Sequence, residues 1–298
     1  MDSKIIVRLP GFEIDSFEIS KERFLDIQNS RNVLFEALSF EEKFDLILSN
    51  YLEFEKTLMD HTIEFMVKSN HDYLSSYQVR LSFNLRISNL LGSIRQYRDH
   101  LTKHLKVCLP RNEESTELIK QKFSKEYDQF FEFRFIEALR NYVQHYGLPV
   151  HSVVHKSKWI PNPIEGDMLF SIDLFVFKKD LLMDSTFKKS VLNEMPEKVE
   201  LSNTLRRYVE SLNKIHLVLR NAISDSVKKS RANIEKLFSE SEDEFGSKKD
   251  LLYIDEIFPS IQESNRLCSV FLHWDDVRLK ILETNRSLVN LTKRKPSF

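Results

Sequence analysis

The chain has 298 residues and is 41% hydrophobic, with 23 Phe, enough to bury a sizeable core and too apolar for a disordered chain. Only 5 Gly and 8 Pro are present, which argues against turn-rich sandwiches and glycine-dependent nucleotide-binding folds and favours long helices with few breaks. Lys and Arg number 44 against 45 Asp and Glu, a net charge of −1, so any nucleic-acid contact has to come from a local patch.

Residues 4–8 (KIIVR) read as a short strand ended by Pro10 and Gly11. Ser20 is a candidate N-cap for a helix to Leu38, with Phe24, Ile27, Val33 and Leu34 at helical spacing. Ser39, followed by Glu41 and Glu42, reads as the N-cap of a second helix reaching Lys68. A turn over 69–72 leads to a helix over 73–107, stopped by Pro110. The next helix spans 113–146 and carries a broad apolar face from Ile119 through Phe123, Phe131, Phe135 and Leu139 to Val143.

The character then changes. VHSVVHKSKWI and MLFSIDLFVF are rich in β-branched and aromatic residues and flank PNPIEGD, the pattern of a β-hairpin. After Pro196 a helix of about 197–240 carries Leu205, Tyr208, Leu212, Ile215, Leu219 and Ala222 in alternating 3–4 spacing, which suits a bundle or an assembly contact. The run SESEDEFGSKK (239–249) reads as a solvated loop, and a last helix is expected over 262–292 before a basic tail. The expected fold is mostly α, a bundle of long helices with a small β-hairpin insertion. The expected division is a helical bundle over 1–148, the hairpin over 149–180, and C-terminal long helices over 181–298.

Cys108 and Cys268 are the only cysteines and form no disulfide framework or CxxC metal motif, so a cytoplasmic setting and no structural metal are expected. The N-terminal residues lack the apolar core of a signal peptide and no run of 18 apolar residues occurs, so no membrane partner is expected. GxGxxG, P-loop and GxSxG motifs are missing, so no cofactor is expected and dinucleotide, ATP and serine-hydrolase chemistries lack their residues.

One stretch carries chemistry: EALRNYVQHYGLPV, residues 137–150. On a helix, Arg134, Glu137, Asn141 and His145 form one polar stripe on an otherwise apolar element, flanked by Arg140 and Gln144. A guanidinium can clamp a phosphate through two parallel hydrogen bonds. An imidazole, which ordinarily titrates at about pH 6.5, can move a proton at neutral pH. With an amide to orient either one, the trio of Arg140, Asn141 and His145 suits phosphodiester cleavage. RNA is the easier substrate, because its 2′-OH is an internal nucleophile and no metal is then required.

From Ala138 to Ile164 there is no Asp or Glu, while Arg140, His145, His151, His155, Lys156 and Lys158 are present, giving a local basic flank for RNA. Tyr146 and Trp159 offer stacking surfaces for bases, although such aromatics more often pack in a core. The expected substrate-binding residues are therefore Arg134, Gln144, Tyr146, His151, His155, Lys156 and Lys158. RQYRDHLTKH contains a second pattern, Arg98 with His104, as secondary candidates. His100 and His104, one turn apart on a helix, have the spacing of a metal pair but no Glu or Cys ligand at a recognised spacing.

RNYVQH resembles the Arg-x4–6-His motif of HEPN-superfamily ribonucleases, in which the residue after the arginine is commonly polar and often Asn. The resemblance covers the motif and roughly the 110 residues of helical surroundings. It implies Arg140, Asn141 and His145 as the catalytic set. It also implies a helical bundle acting as a homodimer, two motifs meeting to cut RNA, and a toxin or anti-phage role with an antitoxin or regulatory partner. The same residues also suit a plain helix C-terminus, where Arg and His meet the dipole and the free carbonyls. A different class fits as well, a non-catalytic helical scaffold that assembles through the 205–222 stripe.

Overall fold

The computed structural model describes residues 3–10, 16–68, 72–109, 112–161, 166–246, 250–258 and 263–294. In chain order its elements are β1 (Lys4–Arg8), β2 (Ser16–Ile19), α1 (Lys21–Val67), α2 (Tyr73–Cys108), α3 (Asn112–Gln129) and α4 (Phe131–His145). There follow β3 (Ser152–Ile160), β4 (Asp167–Phe177), the short α5 (Lys178–Leu181) and α6 (Lys189–Glu194), and β5 (Lys198–Glu200). The chain ends with α7 (Leu201–Phe245), β6 (Leu252–Phe258), β7 (Glu263–Val270), α8 (His273–Thr284) and a 3-10 turn at Leu291–Lys293. The molecule is mostly helical. None of the helices, among the described residues, is long and apolar enough to cross a membrane.

Compactness divides the chain into two units, each built from three separate stretches. The first takes Met1–Glu42, His100–Glu117 and Val218–Arg286; the second takes Lys43–Asp99, Leu118–Leu217 and Ser287–Phe298. The units thus do not follow the consecutive division at 148 and 180 that the sequence led us to expect, because α1, α2 and α7 each supply residues to both.

In the first unit an antiparallel sheet of order β2-β1-β6-β7 buries Val7, Leu252, Ile254 and Val270. Asp255 of β6 is 3% exposed and lies between Arg8 at 2.5 Å and Arg266 at 2.7 Å. Only β1 of this sheet is foreseen from sequence. The helix expected over 262–292 is instead β7 followed by α8. Glu263–Val270 pairs along β6 from Leu252 to Phe258, and that ladder satisfies its backbone groups. The helix begins only at His273, where Asp275 and Asp276 fall in the first turn and favour the positive end of the dipole. The acidic stretch read as a loop is helical to Phe245, and residues 247–249 lie outside the described residues.

Ser20 does cap α1, accepting from the Arg23 N–H at 3.1 Å. The second N-cap at Ser39 does not exist, and α1 runs unbroken for 47 residues. No Gly or Pro interrupts it, and buried Leu34, Ala37, Phe40 and Phe44 carry one apolar stripe across the expected break. Glu41, instead of serving a helix start, is buried and holds Arg220 of α7 through two contacts of 2.8 and 2.5 Å.

In the second unit, parts of α1, α2 and α7 combine with α4 into a helical core. Phe44 stacks on the buried His216 with ring centroids 3.9 Å apart, and the Tyr97 hydroxyl lies 3.1 Å from His216 Nδ1. Glu55 of α1 takes both Nε and Nη2 of Arg206 of α7 at 2.7 Å. Of the expected stripe, Leu205, Tyr208, Leu212 and Ile215 are buried in this unit as their spacing implies; in the first unit Leu219 is buried, and Ala222 is exposed with Ile223 buried in its place. That stripe is consumed by the chain's own core, so the scaffold reading loses the surface assigned to it.

The helix expected over 113–146 is broken at Phe130, whose φ of −122° and ψ of 124° are extended. Neither Gly nor Pro causes the break. Arg134 Nη1 donates to the carbonyls of Tyr127 at 2.6 Å and Asp128 at 3.0 Å, satisfying groups freed where α3 ends. The Arg207 guanidinium covers the Phe130 ring at 3.8 Å. The hairpin is present as β3 and β4, joined in an antiparallel sheet by β5, which had not been foreseen. Most of the PNPIEGD loop lies outside the described residues.

Candidate functional site

The α4 helix is amphipathic with a narrow polar edge. Its apolar side (Phe133, Phe135, Ile136, Leu139) is buried, and the edge left over carries Glu137 and Arg140. Glu137 is the centre of a cluster. Its carboxylate accepts from Arg98 of α2 and from the Tyr208 hydroxyl of α7, and Arg140 Nη2 stands 3.5 Å away. Tyr208 is fully buried and packs on Phe133 at 4.8 Å; burial above all, with the Glu137 charge beside it, pushes its phenol well above the ordinary value. Two guanidiniums thus face one carboxylate.

Arg140 is the unusual member. Its side chain is only 15% exposed, yet among the described residues its Nε is buried without a hydrogen-bond partner and its ion pair to Glu137, at 3.5 Å, is too long for a good hydrogen bond. A guanidinium carries five donors, and a buried donor without an acceptor costs about 1–3 kcal/mol. Among the described residues Arg140 thus holds one long ion pair and a buried Nε that no acceptor reaches.

His145 and Asn141 are exposed at the end of the same helix. Five residues at about 100° each put His145 roughly 140° around the helix from Arg140, and Asn141 roughly 40° from His145. A single copy thus presents the imidazole and amide together and the guanidinium on another side. The helix-end reading is met in part, with His145 the basic residue of the last turn, at the negative end of the dipole, but not through the free carbonyls. The Tyr142 carbonyl is taken by the N–H groups of Tyr146 at 2.8 Å and Gly147 at 3.2 Å, and His145 engages no carbonyl among the described residues. A Cβ at Gly147 would run into the Tyr142 hydroxyl, so a larger residue there needs that side chain to shift.

The expected binding residues are dispersed. Arg134, Glu137 and Asn141 do share a cleft of about 160 Å³ with Tyr127, Tyr142 and Lys188. Arg134, however, is committed to Glu194 at 3.0 Å, the contact that chiefly raises its pKa, and to the α3 carbonyls. Gln144 accepts from Arg95, and the Tyr146 hydroxyl donates to the Met183 carbonyl at 3.1 Å. His151 Nδ1 accepts from the Phe177 N–H at 3.1 Å, and burial lowers its pKa against the pull of Asp180. His155 packs on Phe65 at 4.9 Å, in a different cleft, with His61. Lys158 is exposed on β3.

The acid-free flank is therefore not an acid-free surface. Asp173 pairs with Lys156 across the hairpin, Asp180 lies 3.1 Å from His151, and Glu194 holds Arg134. These carboxylates come from residues beyond the acid-free stretch of 138–164. The secondary pair is divided too. Arg98 belongs to the Glu137 cluster and lies over the Phe123 ring at 4.6 Å, whereas His104 is buried with Nδ1 2.5 Å from Glu36. Among the described residues no group of three or more His, Cys, Asp or Glu side chains is placed to hold a metal ion. The roles of Tyr208, Tyr127 and Lys188 were not legible, since nothing in their local sequence ties them to α4.

No protein-family model matches the chain, and no curated protein or solved structure matches it either.

Proposed function

We propose that this chain is a metal-independent endoribonuclease of HEPN type, acting on RNA at the C-terminal end of α4 as a homodimer in a toxin or anti-phage role. The observation that carries the reading is Arg140, a largely buried guanidinium with an unpartnered Nε in a cluster where two arginines share one carboxylate. A phosphate is the anion that a guanidinium pairs with through two parallel hydrogen bonds. Exposed His145 and Asn141 on the same helix end supply the imidazole and the amide beside it. The roughly 140° between Arg140 and His145 fits a site completed by a second copy, in which the imidazole of one protomer works with the guanidinium of the other.

In this reaction the ribose 2′-OH attacks the adjacent phosphorus and one imidazole takes its proton. The bond to the 5′-oxygen breaks, and that oxygen is protonated by the second imidazole. The products are a 2′,3′-cyclic phosphate and a 5′-hydroxyl end. Arg140 stabilises the charge that builds on the phosphoryl oxygens.

The test is cleavage of total RNA by the purified chain, by Arg140→Ala and by His145→Ala, each with and without EDTA. We expect cleavage by the unaltered chain to persist in EDTA and to leave cyclic phosphate ends. Each variant should lose about a hundredfold or more. Equal cleavage by either folded variant, or loss of cleavage with chelator, overturns the reading.

A further inference from the structure

Within the second unit α2 has two apolar sides. One carries Phe83, Ile87 and Ile94 and is fully buried. The other faces outward. On it Leu74, Gln78, Leu81, Leu85, Ser88 and Gly92 follow one another at intervals of 4, 3, 4, 3 and 4, the seam spacing of two helices packed along each other. Leu74 is 62% exposed, Leu81 48% and Leu85 56%. From Tyr73 to Gly92 the helix has two charged residues, Arg80 and Arg86. Arg80 Nη1 donates to the His151 carbonyl at 3.4 Å, and Arg86 Nε to the Thr57 hydroxyl at 3.3 Å. Both cations are turned to the chain's own fold, and the outward seam is uncharged over five turns. A solvated helix face ordinarily has the opposite pattern.

Gly92 adds a second observation. A glycine inside a helix lowers its stability, and a Cβ at this position would meet nothing within 4 Å. No close approach within the described residues calls for a glycine here. A side chain arriving from outside does.

The seam is complementary to itself when run in reverse. With two copies of α2 antiparallel about an axis at the level of Phe83, Leu74 falls beside the partner's Gly92, Gln78 beside the partner's Ser88 and Leu81 beside the partner's Leu85. A large side chain meets a small one at each end, and leucines fill the middle. A parallel pair sets like beside like and leaves the Ser88 and Gly92 layers hollow, against the close packing of protein interfaces. No like charges are brought together. A foreign helix would have to supply this order of volumes in reverse, and a second copy does so by symmetry. We propose that the outward face of α2 is a homotypic docking surface, on which a second copy of this chain packs its α2 antiparallel. Half the surface of a helical rod about 27 Å long is on the order of 500 Å² per copy, the size of a weak, reversible contact. Arg95, bonded to Gln144 of α4, lies 12 residues from the axis, so the two α4 ends stand about 36 Å apart along the paired helices. This contact is therefore distinct from the meeting of two motifs in the nuclease reading, and either can fail alone.

The experiment is sedimentation of the full chain over a range of concentrations without RNA, joined to disulfide trapping. We expect association that rises with concentration. Leu81→Glu, at an exposed position, should halve the limiting mass while the chain stays folded in a thermal melt. Gly92→Leu should raise the melting temperature of the dilute chain, because the helix gains, and weaken association at least about tenfold, because the space for the partner's Leu74 is filled. A mixture of Gln78→Cys and Ser88→Cys chains should form a disulfide-linked pair under mild oxidation. Neither variant alone should, since identical positions lie about 15 Å apart along the helices, beyond disulfide reach. The proposal falls if the chain does not associate, if Leu81→Glu or Gly92→Leu associates like the unaltered chain, if the mixture gives no linked pair, or if Gln78→Cys alone links to itself.

Discussion

Two buried charge clusters, one in each unit, use the same parts and end in different states. In the first unit Asp275 is fully buried and accepts from Arg231 at 2.7 Å and from Arg278 at 2.6 and 3.1 Å, with Asp276 and Glu235 taking the remaining Arg231 donors. In the second, Glu137 serves Arg98, Arg140 and Tyr208, and Arg140 is left with an unpartnered Nε. Acids outnumber guanidiniums around Asp275, and guanidiniums outnumber acids around Glu137. A closed cluster has done its work once the chain is folded. An open one retains an excess of guanidinium over carboxylate, and it sits in the helix that carries the Arg-Asn-x3-His motif.

The largest effect is expected where closure is complete. Asp275→Asn removes the charge that two guanidiniums share and leaves both in a poorly solvated setting. It should cost about 3–5 kcal/mol of stability, read as a lower urea midpoint at an unchanged slope. A loss below about 1 kcal/mol means the cluster is not a closed structural unit.

The next comparison separates the two arginines. Arg278→Ala breaks two good hydrogen bonds to Asp275 and should cost about 2 kcal/mol or more. Arg140→Ala breaks one long ion pair and removes an unsatisfied donor, so it should cost less than about 1 kcal/mol. RNA cleavage should respond in the reverse order, lost in Arg140→Ala and kept in Arg278→Ala. If the two variants destabilise equally, Arg140 is a structural residue and the distinction between open and closed clusters collapses.

How much of this was legible follows from distance along the chain. The helices were, because their signal is local: Leu205, Tyr208, Leu212, Ile215 and Leu219 show the buried side of α7 within five turns, and Pro110 marks where α2 stops. The first unit's sheet was not, because β1 finds its partner β6 about 250 residues later and short half-buried strands show little alternation. The candidate site was legible as a motif and illegible as a cluster. Arg140, Asn141 and His145 lie within six residues, but the groups that define Arg140's setting are Arg98, 39 positions from Glu137, and Tyr208, 71 positions from it. Spacing on one helix also put Arg134 and Asn141 on a common edge correctly, and had no means of showing that Glu194 occupies Arg134.

The smallest effect comes from pH, through a phenol that only one of the two clusters contains. Around Asp275 the partners are the Arg231 and Arg278 guanidiniums, with no phenol among them. Around Glu137 there is a phenol. Burial and the adjacent carboxylate raise the Tyr208 pKa in the folded chain, so above about pH 10 the unfolded chain gives up that proton while the folded chain keeps it. The folded state then binds more protons than the unfolded state, and stability falls as pH rises. The contribution is complete below the unfolded value and is lost as pH climbs toward the folded one. Tyr208→Phe should flatten the decline of stability between pH 9.5 and 11 without abolishing it. Tyr51, pushed up chiefly by its own burial and then by Glu55, adds to the same slope. Asp275→Asn should lower the whole curve and leave its alkaline slope alone. Urea midpoints across that range for the three chains decide the matter. An unchanged slope in Tyr208→Phe would mean that the phenol is not held against Glu137, and the cluster that gives Arg140 its surplus charge would have to be redrawn.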